Sequence, residues 1–291
     1  MANTSNPFGF WQASGTGSAP TYEQSRFLIK NGNTTAAFFG DPMVMATGTT
    51  GLTTGYVTQA AAPQALAISG FALANGLVTA TFTATTAPPV GSTLILNGLT
   101  TATTLNGSWN IVSSSTTTAV FAYPGGALST QSTTGYVFTP IVGIFVGCSY
   151  GSTAQKKQVW SNYWPGTSDS NADVTAYIIN DPNAQFLVQT ANSNTTATAV
   201  GLASIGSTIG FSIGSGNTSN GISAAYADQY TLGANFPSGQ YGQQFLPFRM
   251  LALMNQGNTA LAGINGADST TAFNNIIVGF NNTVLRVQTA Y

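Results

Sequence analysis

Ile141-Val142-Gly143-Ile144-Phe145-Val146-Gly147-Cys148-Ser149-Tyr150 decides the fold class. Its apolar run 141–146 is far shorter than the roughly 18 apolar residues of a membrane helix and is built from β-branched and aromatic side chains. It reads as a buried strand. Outward from it, short alternating or wholly apolar runs recur between clusters of Gly, Asn, Pro and Ser, and helical periodicity is nearly absent. Candidate strands cover 26–30, 142–150, 158–164, 174–179, 185–189, 245–253, 275–280 and 283–288. An all-β protein is expected.

Thr53-Thr54-Gly55-Tyr56-Val57 returns unchanged as Thr133-Thr134-Gly135-Tyr136-Val137. The repeat marks an insertion, because removing 58–137 runs Val57 directly into Phe138 and the strand that follows. The expected organisation is therefore a discontinuous β-sandwich core, 1–57 plus 138–291, carrying a small Ig-like β-sandwich module at 58–137. Inside the module, apolar runs at 77–84, 93–96, 108–112 and 118–123 are separated by Pro88-Pro89-Val90-Gly91, Asn97-Gly98, Asn106-Gly107 and Pro124-Gly125-Gly126. Gly and Asn accept positive φ and Pro presets the first turn residue, so these words read as turns. A module whose ends lie close together can interrupt a surface loop. The Thr-, Ser-, Gly- and Asn-rich stretch 190–221 reads as a long loop with one strand at 208–213, or as a mobile arm.

Only 4% of the 291 residues are charged, against about 25% in an ordinary domain. Six cations balance seven carboxylates, which is too few for the basic patch that nucleic-acid binding needs. At 43% hydrophobic and 11% aromatic the chain should fold. No basic and apolar leader opens the sequence, so a soluble product made in a cytoplasm is expected. No membrane partner is expected either.

The reactive inventory is small. The chain has no histidine, one cysteine and one glutamate, Glu23. A Ser-His-Asp triad and His/Cys zinc sites are excluded by count. Cys148 lies in an apolar strand pattern and reads as a small buried hydrophobe. Asp169 and Asp173 are the one carboxylate pair close in sequence, and Val174 stands where a calcium loop of the EF-hand type requires Gly. Gly15-Thr16-Gly17 lacks the lysine of a phosphate cradle. No catalytic residue, metal or cofactor is expected.

Six aromatic residues carry the interface expectation. Phe8, Phe10 and Trp11 follow Pro7 in a Gly-flanked segment without strand periodicity, and Trp160, Tyr163 and Trp164 cluster before Pro165-Gly166. Such rings serve either as core or as anchors of a contact surface. Period-two alternation would put Trp160 and Trp164 on one strand face.

Asn6-Pro7-Phe8-Gly9-Phe10, Gly40-Asp41-Pro42-Met43-Val44, Ile144-Phe145-Val146-Gly147-Cys148-Ser149-Tyr150, Tyr163-Trp164-Pro165-Gly166 and Asp181-Pro182-Asn183-Ala184-Gln185-Phe186 together resemble the capsid decoration, or cement, proteins of tailed phages. The resemblance covers roughly 6–56 and 138–190, and more loosely 275–286. It implies a jelly-roll-like core that forms a homodimer or homotrimer on a shell of HK97-type major capsid protein, with no catalytic residues. The expected location is the virion surface. The module departs from that pattern. An adhesion protein of the head fibre or tail, using module aromatics such as Trp109 and Tyr123 on host glycans, is the alternative expectation.

Overall fold

The computed structural model describes residues 2–15, 23–46, 55–166, 169–232, 245–255 and 264–284. Its strands are numbered in chain order. First come β1 (Trp11–Ser14), β2 (Ser25–Ile29), β3 (Ala37–Phe38), β4 (Pro42–Met45) and β5 (Val57–Gln59). Then follow β6 (Gln64–Ile68), β7 (Gly70–Ala74), β8 (Leu77–Thr81), β9 (Thr93–Leu96), β10 (Gly107–Ser114), β11 (Thr118–Ala122) and β12 (Thr133–Phe138). The remainder are β13 (Ile141–Ser152), β14 (Lys157–Ser161), β15 (Tyr163–Trp164), β16 (Val174–Ile179), β17 (Gln185–Ala191), β18 (Thr208–Asn217), β19 (Ile222–Asp228), β20 (Phe248–Leu253) and β21 (Asn275–Phe280). The fold is all-β with sandwich architecture, and only three short 3-10 turns interrupt it among the described residues.

The quoted run 141–150 lies within β13, the longest strand, at the centre of a sheet ordered β2-β16-β13-β4-β5. Both of its faces are covered, which is why it reads as continuous rather than alternating. On one face Val142, Phe145, Cys148 and Tyr150 pack with Ile29, Met43, Trp164, Val174 and Ala176. On the other, Ile141 and Ile144 join Val44 and Ile179 in a second core shared with the next sheet.

That next sheet runs β1-β17-β19-β18-β20-β21, and β17 also pairs β21. It curls nearly closed, because β17 meets β21 antiparallel along 185–189 and β19 in parallel at Thr190 and Ala191. Phe186, Val188, Ile209, Phe211, Phe248, Met250, Ile276, Val278 and Phe280 fill it. Burying a side chain of this size contributes about 1.5–3 kcal/mol.

The stretch 192–207 is not a free arm. Asn274 accepts the Val200 amide and donates to its carbonyl, Gln229 holds Thr198 in the same two-sided way, and Asp228 accepts the amide and hydroxyl of Ser193. Side-chain amides here replace the ladder that the backbone lacks.

All strands between β5 and β13 join one seven-stranded sheet, ordered β6-β12-β9-β10-β11-β8-β7. It wraps a core of its own that includes Phe71, Val78, Phe82, Leu94, Ile111, Phe121 and Tyr123. A bulge in β10 between Ile111 and Ser113 interrupts the register. Asn75 and Gly76, both at positive φ, make the two-residue turn of the β7–β8 hairpin. Ile95 and Phe138 of this sheet close onto Leu246 beside Tyr136, Tyr230 and Phe245. Thr53 and Thr54 of the repeated word lie outside the described residues. Its Val57 pairs Met45 in the central sheet, whereas Val137 pairs Gln64 and Leu94 in the seven-stranded one. The candidate strand at 283–288 falls largely outside the described residues, with Thr283 bridged to Ile141.

Candidate functional site

The six aromatic residues separate into core and surface. Phe10 is buried and stacks on Phe248 at 4.4 Å, and Trp164 is buried against Tyr150 with its indole N–H donated to the Asn33 carbonyl. Neither presents a ring to a partner. Trp11 is 42% exposed and Trp160 69% exposed, while Phe8 and Tyr163 are half-buried.

Trp160 and Trp164 do not share a strand face. The chain leaves the β13 ladder at Ser161, bends at Asn162, and pairs again with β3 through Tyr163 and Trp164. The bend resets the alternation, so one indole points to solvent and the other into the core. Trp109 and Tyr123 of the seven-stranded sheet are also not free surface rings. Trp109 stacks on Phe121 and donates to the Leu105 carbonyl, and Tyr123 is buried with its hydroxyl on Thr104.

The surface rings gather around the turn between β18 and β19. Trp11 packs edge-on against Phe8 and Phe39, and the Phe39 amide donates to the Gly221 carbonyl. Across the same turn, Asn162 donates to the Asn220 carbonyl, between Trp160 and Tyr163 in the chain. Tyr163 stacks on Phe38 at 5.4 Å, and Trp160 on Tyr177 at 5.6 Å. Phe39, the partner of Trp11, and Asn162, between Trp160 and Tyr163, therefore meet at one hairpin turn although more than 120 residues separate them in sequence.

Next to Trp160 the face of the central sheet opens into a cavity of about 360 Å³. Gln24, Gly147, Ser161, Asn162 and the Trp160–Tyr177 pair line it, with Val146 and Cys148 at its floor. The hollow has a backbone cause. β13 bulges between Phe145 and Gly147, and Gly147 sits at φ +145, a conformation that side chains rarely adopt. The Cys148 thiol is buried, lies 3.4 Å from the Tyr163 carbonyl, and is pushed up to about 12 by desolvation. It is an unreactive, protonated thiol at neutral pH.

The carboxylates serve loops. Asp169 accepts the Ser152 hydroxyl at 2.6 Å, the Thr153 hydroxyl and the Ala154 amide, and these bonds hold its carboxyl below the usual range. Asp173 accepts from the Tyr56 hydroxyl and the Asn31 amide, which lower it likewise. The two therefore tie different loops rather than converging on one site. Among the described residues no group of three or more His, Cys, Asp or Glu side chains is placed to hold a metal ion. No helix there is long and apolar enough to cross a membrane.

No family model, curated protein or solved structure matches the chain. The residue words that carry the resemblance to decoration proteins have structural roles that need no partner. Gly9 and Gly40 cross so closely that a Cβ on Gly9 would lie 3.0 Å from the Gly40 Cα. Asp41 beside them is buried and accepts from the Phe38 amide, the Gln59 side chain and the Ser223 hydroxyl. This joint locks the N-terminal segment, the central sheet and β19 together. Gly40-Asp41 is legible in the sequence as part of a word, whereas the joint and the cavity are not. An Asp beside a Gly in a chain with only seven acids is the sequence signal for the first. The second had none, since its wall comes from four separate strands and loops.

Proposed function

We propose that this chain is a virion structural protein, a decoration or cement subunit that binds the assembled icosahedral shell of a tailed phage as a homodimer or homotrimer and performs no catalysis. The observation that carries the reading is Trp11, a large ring left exposed on an edge strand of a scaffold with almost no charge. With Phe8 and Phe39 it forms an aromatic cluster of the kind that anchors protein interfaces. An interface of about 800 Å² per partner is ordinary for specific complexes, and bridging several capsomers raises the effective concentration of each contact. The seven-stranded module would project from the shell and take no part in holding it.

The attachment should be nearly insensitive to salt, because few ionic contacts are available to screen. The test is sedimentation of purified protein with shells from the same phage. Binding that persists from low to near-molar NaCl supports the proposal, and Trp11→Ala should weaken it by about 30-fold, a loss of about 2 kcal/mol for a central anchor. Release of the protein by salt, or a virion in which this chain is scarce relative to the major shell protein, would end the proposal.

A further inference from the structure

The cavity beside Trp160 lies on the face of the central sheet whose other end is core. Ile179, Tyr177 and Thr175 succeed one another on that face of β16, and burial falls from complete at Ile179 to partial at Tyr177 and Thr175. Opposite them in β2, Arg26 and Leu28 are exposed, and opposite Ser149 in β13 stands Trp160. One face of the Trp160 indole is covered by Tyr177, with planes 19° apart, and the ring is still 69% exposed. Its other face is open.

We propose that this cavity is a binding subsite for a neutral pyranose ring. Five features select that chemistry. The platform is flat, apolar and aromatic, which matches the C–H faces of a sugar ring. The rim supplies uncharged donors and acceptors from Gln24, Ser161 and Asn162, which match hydroxyls around the ring edge. The Gln24 amide and the Trp160 indole N–H have no protein partner among the described residues, so both can meet a ligand without breaking an existing bond. No lining side chain is charged, so an ionic ligand gains nothing from the wall itself, although Arg26 stands in register beside Tyr177. The volume, about 360 Å³, sits at the low end of the roughly 300–1,000 Å³ span of small-ligand sites and suits a single ring. The assignment places saccharide recognition on the core and away from the module, whose Trp109 and Tyr123 are packed inward. It stands independently of the shell-binding proposal.

The test is a ¹⁵N-resolved NMR titration of the full chain with methyl β-galactoside, methyl β-glucoside, N-acetylglucosamine and N-acetylneuraminic acid, following the four indole N–H signals. Trp160→Ala identifies its signal by loss, and because the ring is largely exposed the variant should stay folded. A saturable shift of the Trp160 signal with at least one of the three neutral sugars is expected, with Kd of about 1–10 mM for one weak subsite. Gln24→Ala should weaken it several-fold while leaving the other indole signals in place. No saturable shift with any neutral sugar, a response to N-acetylneuraminic acid alone, or binding that survives in Trp160→Ala overturns the proposal.

Discussion

Asp41 is the residue on which the joint between sheets depends. Its carboxylate receives three donors in a buried setting, and leaving such donors without an acceptor costs about 1–3 kcal/mol each. Asp41→Ala should therefore lower the unfolding free energy by about 3 kcal/mol or more, read from urea denaturation. A change under about 1 kcal/mol would show that the joint is held by the Gly9–Gly40 crossing and backbone bonds alone. The pH dependence has a definite sign. Burial, opposed by the bonds from Ser223, Phe38 and Gln59, pushes the Asp41 carboxyl above its ordinary 3.8. The folded state thus holds this proton more tightly than the unfolded chain does. Its contribution is complete below pH 3.8 and is lost as pH rises through the raised folded value. The stability gap between the wild type and Asp41→Asn, which cannot titrate, should narrow over that window.

At the scale of elements, β5 and β13 both flank β4 and run parallel to each other, so they lie about 10 Å apart, two strand spacings. The chain between them can be replaced by a flexible crossover that returns past β4, if Gln59 is kept, since Gln59 bonds Asp41. We expect a chain in which 62–139 is replaced by about a dozen Gly/Ser residues, the length a crossover between parallel strands needs, to fold, with a melting temperature lowered by several degrees because Leu246 loses the cover of Ile95 and Phe138. Circular dichroism and calorimetry decide it: failure to fold would mean that the seven-stranded sheet is an integral layer and not a module. Strands such as β13, β16, β17 and β21 were readable in the sequence because each buries a continuous or strictly alternating set of large side chains. β6 and β7, Gln-Ala-Leu-Ala-Ile and Gly-Phe-Ala-Leu-Ala, were not, since alanine carries little strand preference. The surface site was hidden for another reason. Trp160 and Trp164 obey alternation only if the strand is unbroken, and the break at Asn162 depends on β3, a partner more than 120 residues earlier.

The whole molecule combines an ample apolar interior with seven acidic groups and no histidine. In most proteins histidines make stability vary between about pH 6 and 7, and here none exist to do so. The acids that loop hydroxyls and amides bond act at lower pH. Asp169, Asp173 and Asp268 are each held below the ordinary 3.8, chiefly by hydrogen bonds from Ser152, Tyr56 and Thr270 respectively. A group lowered on folding stabilises fully above its unfolded value, and that contribution disappears as pH falls through its folded one. The three therefore oppose Asp41 in sign, and together they define an acid limb that begins near pH 3.8 and extends below it. Urea midpoints should change little between pH 6 and 8 and drop steeply below about pH 4. Asp173→Asn should lower the midpoint at neutral pH and flatten the limb, since the asparagine gives up the charge that the Tyr56 hydroxyl and Asn31 amide now bind. A midpoint that instead moved steadily across pH 6 to 8 would require a titrating side chain that this composition lacks, since only the terminal amine ordinarily titrates there; persistence of the slope after acetylation of that amine would place the control of stability in an assembled state in which several copies share their charges.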